Sequence, residues 1–295
     1  MIRRAVKQSE NEMSYLERIN ACKSPDLSGY LPFVVDGMVI GYVKPEFASQ
    51  LKDFPETFSV DDVQLGLNER LKGHESRTEA VGVVLERLME QGVVPGWRGE
   101  KYKVATSFAA PALFDIERAA VALFGTIGYG VHLNGVVHTD NRLSMWIGRR
   151  SLSKPTGPGK LDQIVAGGQP VGISLMGNLI KECGEEADIP ESIAAGSIPV
   201  GAVTYITERP EGLRRDVLFN YDLVLPNDFE PRNTDGEIED FHLMTVNEVA
   251  DRVRDTNDFK FNCAMVVIDF LIRHGYIEPD HPDYIELIDG LHGLD

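Results

Sequence analysis

Residues 167–190 read GGQPVGISLMGNLIKECGEEADIP. A Gly-Gly pair opens the stretch, Pro170 and Gly172 mark a turn, and a helix is expected from about Ser174 to Ala187. The end of that helix carries Glu182, Glu185 and Glu186. Positions i, i+3 and i+4 of a helix share a face, so the three carboxylates are expected on one patch. Like charges at that spacing repel. A hard divalent cation, Mg²⁺ or Mn²⁺, would relieve the repulsion, because these ions take oxygen ligands and keep several waters. The plain alternative is a solvated acidic helix end, since acidic helix faces are common.

The flanking residues bear on that choice. Gly-Gly, a glycine turn, Lys-Glu, a small apolar residue, Glu-Glu and a β-branched residue past the helix follow in order. This resembles the Nudix box, G-x5-E-x7-R-E-U-x-E-E-x-G-U, where U is bulky and apolar. Gly167 falls at the first glycine, Lys181 at the arginine, Cys183 at the apolar position, Asp188 at the last glycine and Ile189 at the last apolar site. Ile173 stands where the family has its first glutamate. Asp tolerates the left-handed conformation of a helix end, and Lys181 keeps the charge without the planar fork. The resemblance implies that Glu182, Glu185 and Glu186 hold the metal. It implies a backbone carbonyl of Gly167 or Gly168 as a further ligand, and Lys181 as the residue that orients the acids.

The chain has 295 residues, enough for two modest domains or one large one. Its 43% hydrophobic and 25% charged content is that of an ordinary globular protein. A net charge of -17 argues against nucleic-acid and anionic-membrane partners. It also repels a diphosphate at long range, so such a substrate requires local cations or metal. Three scattered cysteines without a CxxC motif suit a reducing compartment. The start, MIRRAVKQSENEM, lacks the apolar core of a secretory signal. No apolar stretch is long enough to span a bilayer. A cytoplasmic location is therefore expected.

Residues 1–115 read as an α+β unit of their own. A helix is expected from Glu10 to Cys22. Leu31–Val35 and Met38–Val43 flank Asp36-Gly37, a type I′ hairpin signal. Short elements follow at Glu46–Leu51 and Phe58–Val60, then a helix over Thr78–Gln91. Trp97 and Arg98 sit beside a glycine turn. They offer an aromatic platform and a cation for a ring-bearing substrate, or else Trp97 is simply a buried residue that pins the turn. From Ile116 the chain is β-rich, with a second hairpin signal at Asn134-Gly135. In RLSMWIGRR, Met145 and Ile147 face opposite to Trp146. Arg149, Arg150, Lys154 and Lys160 form the densest cationic cluster, read either as a phosphate clamp or as a solvated loop. In DGEIEDF, Glu237 and Glu239 are candidates for a general base, with an exposed acidic turn as the alternative. Strands, glutamate helix, strands and C-terminal helices in that order suit an α/β fold. The expected architecture is an α/β/α sandwich with a mixed sheet over residues 116–295, preceded by the smaller α+β domain.

The resemblance extends past the box. The runs YGVHLNGVV, MWIGRRSLSKPTGPGKLDQIVAGG, DVLFNYDLVLP and DGEIEDF are similar to thiamine-pyrophosphokinase-associated Nudix proteins, which carry an extra N-terminal domain. That likeness implies a diphosphatase acting on thiamine-like diphosphates, a small-molecule diphosphate as the partner, and a homodimer. Two other readings stay open. One is a non-catalytic ligand-binding Nudix domain. The other is an isomerase like the isopentenyl diphosphate isomerases, which need a catalytic Cys and Glu pair; here Cys183 stands at an apolar helix position.

Overall fold

The structure is a computed structural model that describes residues 14–23, 26–139 and 142–293. Its first helix, α1 (Tyr15–Asn20), begins at a Ser14 cap whose partner is Glu17. The helix expected from Glu10 thus starts later, and residues 10–13 lie outside the described residues. The Asp36-Gly37 signal is realised between β1 (Leu31–Val35) and β2 (Met38–Val43). Both turn residues take positive φ, 51° and 77°, as a type I′ turn requires. Next come α2 (Pro45–Leu51), β3 (Phe58–Val60), β4 (Leu65–Leu67) and α3 (His74–Glu90). The Arg77 guanidinium on α3 donates to both Asp36 carboxylate oxygens at 2.9 and 2.7 Å, fixing the hairpin to the helix.

The four strands form one small sheet in the order β2-β1-β4-β3. A hairpin follows, β5 (Lys101–Val104) against β6 (Phe114–Glu117). A short α4 (Val121–Phe124) closes the region. Phe124 is fully buried among Phe33, Phe47 and Phe58. The N-terminal core therefore runs from Phe33 to Phe124. A division at 115 falls inside β6, and α1 packs on a different core, with the C-terminal helices.

The large sheet is built from β7 (Ile127–Thr139), β8 (Arg142–Arg150), β9 (Leu161–Gln163), β10 (Val165–Gly168), β11 (Ile198–Arg209), β12 (Gly212–Val224) and β13 (Ile238–Thr245). Its order is β11-β12-β7-β8-β13, with β10 on β7 and β9 on β8. Strands β12 and β7 are parallel while the other pairs are antiparallel, so the sheet is mixed. Helix α5 (Leu175–Ala187) and the short α6 (Glu191–Ala194) cover one face through Val131, Leu133 and Val165. Helices α7 (Val246–Asp255), α8 (Phe261–Arg273) and α9 (Tyr284–His292) join α1 on the other, over Val136, Met145 and Ile147. This is the α/β/α sandwich expected, and strand alternation sets its two cores: Trp146 turns toward α5 while Met145 and Ile147 turn away.

The second hairpin signal is a correction. Asn134 and Gly135 lie in the middle of β7, not in a turn. Asn134 donates to Asp222 at 2.9 Å across the sheet. A Cβ on Gly135 would stand 2.9 Å from Ile164 and 3.0 Å from Leu225, so the glycine is required by packing.

Candidate active site

Helix α5 is held by both of its ends. The Ser174 hydroxyl accepts from Gly177 N–H at 3.1 Å. A buried stripe of Leu179, Cys183 and Ala187, four residues apart, faces the sheet. Asp188 ends the helix in the left-handed conformation, φ 54° and ψ 33°. Asn178, also buried, donates to the Gly168 carbonyl at 2.9 Å and ties the helix to the Gly-Gly pair. Ile173, at the place of the family's first acid, rests its side chain over Gly177.

The three glutamates do not form a single patch. Glu186 is buried, and one of its oxygens accepts from Ala166 N–H on β10 at 2.8 Å. Glu182 is half-buried against Gly167, where an added Cβ would meet its carboxylate carbon at 2.5 Å. Glu185 is exposed and accepts from Lys181 Nζ at 2.6 Å. Lys181 also reaches Glu182 at 3.2 Å, so it bridges two of the acids. Adjacent residues point about 100° apart on a helix, which is why Glu185 and Glu186 diverge. Burial pushes the Glu186 carboxyl well above the usual range, and the Glu182 charge adds to the rise. Burial raises Glu182 as well. A buried and a half-buried acid packed against the Gly167–Gly168 strand favour uptake of either a proton or a cation. All-oxygen donors in a cradle that only glycine leaves open fit a hard divalent ion.

A cavity opens beside this cradle, lined by Ala166, Gly167 and Gly168 on one side. Six cations reach it: Arg98, Arg118, Arg150, Lys154, Arg214 and Lys260. Of the sequence candidates, Arg98, Arg150 and Lys154 are brought together here, and Glu237 joins them. Lys154 forms an ion pair with Glu237 across the mouth. Burial raises the Glu237 carboxyl, but Lys154, with Arg98 and Arg118 behind it, outweighs burial and holds it below its ordinary value.

Four candidates lie elsewhere. Arg149 pairs with Asp240 at 3.4 Å, because neighbours on a strand point to opposite faces. Lys160 donates to the Asn257 carbonyl at 2.5 Å. Glu239 is exposed in the bulge between Ile238 and Asp240 and does not line the cavity. Trp97 packs against the N-terminal core. Arg118, Arg214 and Lys260 escaped the sequence reading because they lie far apart in the chain and converge only through the fold.

The cavity floor is a buried network. Asp162 accepts from Arg150 Nη1 at 2.7 Å and from the Cys263 thiol at 2.7 Å, with Lys260 Nζ at 3.8 Å. Burial raises this acid, but Lys260 and Arg150 overcome it and hold it down at about 2. Gln163 donates its amide N–H to the Cys263 carbonyl at 3.0 Å, which leaves its amide oxygen facing His132 Nδ1 at 2.8 Å. His132 therefore carries its proton on Nδ1. Burial lowers its pKa to about 4. His132, Asp162 and Cys263 bring three ligand-type atoms within 4.8 Å. They do not suit a metal: Asp162 is already shared by two cations, and burial pushes the Cys263 thiol well up. The network instead anchors Arg150 under the cavity.

Cleavage of a diphosphate needs a hard cation at the phosphoryl oxygens and cationic side chains around them. The glutamate cradle supplies oxygen donors for the first and the adjoining cavity supplies the second within one cleft, and the class of enzyme this fits is a hydrolase of diphosphates. The chain is similar to several known proteins. Residues 13–127 match a family described as a domain of unknown function, DUF4743. Nudix hydrolase 20, chloroplastic, of Arabidopsis thaliana is 45% identical, over 99% of this chain and 81% of its own. Nudix hydrolase 24, chloroplastic, of the same plant is 46% identical, over 96% of this chain and 79% of its own. Among solved structures, the crystal structure of DR0079 from Deinococcus radiodurans aligns at 20% identity over 57% of this chain and 97% of that one, with a TM-score of 0.44. The chain belongs to the Nudix hydrolase family.

Proposed function

We propose that the chain is a Mg²⁺- or Mn²⁺-dependent diphosphatase that converts a small organic diphosphate, preferably a thiamine-analogue diphosphate, to its monophosphate. The observation that carries this reading is the pair of α5 acids, half-buried Glu182 and buried Glu186, set against the β10 backbone beside a cavity lined by six cations. Glu182, Glu186 and the Gly167 carbonyl would hold the ion, with Glu185 joining them after release from Lys181. When bound, the ion neutralises charge on the phosphoryl oxygens and supplies an acidic water. The reaction consumes one water, breaks one P–O–P bond and moves one proton. Glu237 is the candidate acceptor of that proton: it lines the cavity, and its cationic neighbours keep it ionised near neutral pH. Arg150 and Lys154 face the phosphates, with Arg150 fixed by Asp162.

A ring-bearing substrate is supported by an aromatic group beside the cavity. Phe108 lies 5.0 Å from Tyr129 and 4.8 Å from Phe219, centroid to centroid, and 40% of its surface is exposed. These rings, and not Trp97, are the platform in this proposal.

The test is phosphate release by the purified full-length chain with Mg²⁺ or Mn²⁺, across a panel of organic diphosphates. Cleavage of none of them would overturn the reading. Ile173, which replaces a family acid, favours one second reading, a ligand-binding Nudix domain without turnover. That reading requires diphosphate binding in calorimetry and no product. For location, three buried free thiols suit a reducing compartment. Both plant relatives are named chloroplastic, so a plastid stands beside the cytoplasm. Among the described residues no helix is long and apolar enough to cross a membrane. The proposal is completed by a homodimer, which sizing by light scattering would test.

A further inference from the structure

We propose that the N-terminal unit is a wall of the catalytic cavity, and that its Arg98 and Arg118 grip the terminal phosphate of the diphosphate. This rests on the diphosphate reading above, and it gives a role to a region that matches a domain of unknown function.

The unit docks on the box itself. Lys101 of β5 accepts at its carbonyl from Val171 N–H, in the turn before α5, at 2.9 Å. Tyr102, the next residue, lays its phenol against Gly168 so closely that a Cβ there would overlap the hydroxyl oxygen. The same absent Cβ would stand 3.5 Å from the Arg118 guanidinium carbon. The unit thus meets the chain at the strand that carries the Glu182 and Glu186 contacts.

Its two arginines are under-engaged. Arg118 donates one N–H, from Nη1, to Glu100 at 2.8 Å, and its side chain is 42% exposed. The Arg98 guanidinium has no hydrogen-bond or ion-pair partner among the described residues. Both line the cavity that Glu237 also lines. Arg118 in addition lies against Gly168 of the box strand, within reach of a phosphoryl group bound there. A guanidinium fork with free N–H groups matches phosphate oxygens in pairs. Hydrogen bonds to charged groups in a partly desolvated cleft are strong enough to show individually in binding.

The test is calorimetric titration of the full-length chain with inorganic pyrophosphate in EDTA, comparing wild type, Arg98→Ala, Arg118→Ala and the double variant. Each single substitution should weaken binding roughly 10- to 100-fold. Arg70→Ala, in an exposed pair with Glu56 on the same unit, should leave it unchanged. Exposed Arg98 provides a variant that keeps its fold if Arg118→Ala does not, and thermal melting reports on both. Unchanged pyrophosphate affinity in folded Arg98→Ala and Arg118→Ala overturns the inference. So does a wild-type chain that fails to bind pyrophosphate. A chain that binds through these arginines but turns over no diphosphate with Mg²⁺ leaves the inference standing and removes the hydrolase reading.

Discussion

The Tyr102 hydroxyl lies against the backbone of Gly168, in the space a methyl group would need. Gly168→Ala should therefore force the β5 hairpin off the box strand. Overpacking of this kind costs about 1–3 kcal/mol. The cost should nearly vanish in a Tyr102→Ala background, because the collision is then gone. A double-mutant cycle in urea measures this coupling, and additive losses would show that the two residues are not in contact.

Glu186 is expected to separate metal binding from folding. The Glu186→Gln side chain can still accept from Ala166 N–H and is neutral without taking up a proton, so apo stability should be held or slightly raised. Added Mg²⁺ should raise the melting temperature of the wild type, as any ligand of the native state does, and should not raise that of the variant. Turnover should fall roughly 100-fold or more. Equal Mg²⁺-induced shifts in both chains would exclude Glu186 as a ligand.

Arg149 and Arg150 are neighbours with opposite fates. Arg150→Ala removes the closest counter-ion of buried Asp162 and should cost about 3 kcal/mol or more. It should also weaken pyrophosphate binding. Arg149→Ala breaks a half-exposed pair and should stay within about 0.5 kcal/mol. Denaturant midpoints and pyrophosphate titrations of the two variants, side by side, check the difference. Matching effects would mean that the strand does not present them to opposite faces.

His132 should write a pH dependence into stability. Burial lowers its pKa from 6.5 to about 4, so between those values the unfolded chain binds the proton and the folded chain does not. Its contribution is complete above about 6.5 and is lost as pH falls toward 4. The full effect is of order 3 kcal/mol. Urea midpoints from pH 4.5 to 7.5 should drop on acidification in the wild type and flatten in His132→Gln. An unaltered slope in the variant would assign the dependence to other groups.

What could be read from the chain was what depends on near neighbours. The α5 helix, its Ser174 start and the left-handed Asp188 at its end follow from local periodicity and capping. So does the Asp36-Gly37 turn, where both residues tolerate positive φ. Facing was less legible. The acids of α5 share a helix end, yet Lys181 draws Glu185 outward while Ala166 draws Glu186 in. A dense run of cations, Arg149 to Lys160, was divided by strand alternation and by a helix C-terminus that captured Lys160. Arg118, Arg214 and Lys260 lie far apart in the chain and meet only when the sheet is assembled. Gly135 carried a turn-like signature for a different reason, the closeness of Ile164 and Leu225.

Where β12 begins, Gly212 is pressed against the Ala122 backbone, with no side chain between them. That backbone-on-backbone contact has no rotamers to rearrange, and Lys44 bridges the same junction to Glu208 at 3.1 Å, so the two parts should not swing apart like a clamshell. Traffic in and out of the cleft is then left to the rim where the 151–160 and 226–237 segments meet through Lys154 and Glu237. The Lys154–Glu237 ion pair, beside a backbone bond from Ser151 N–H to the Glu237 carbonyl at 2.9 Å, is the latch on that door, and an arriving phosphate can compete for its lysine.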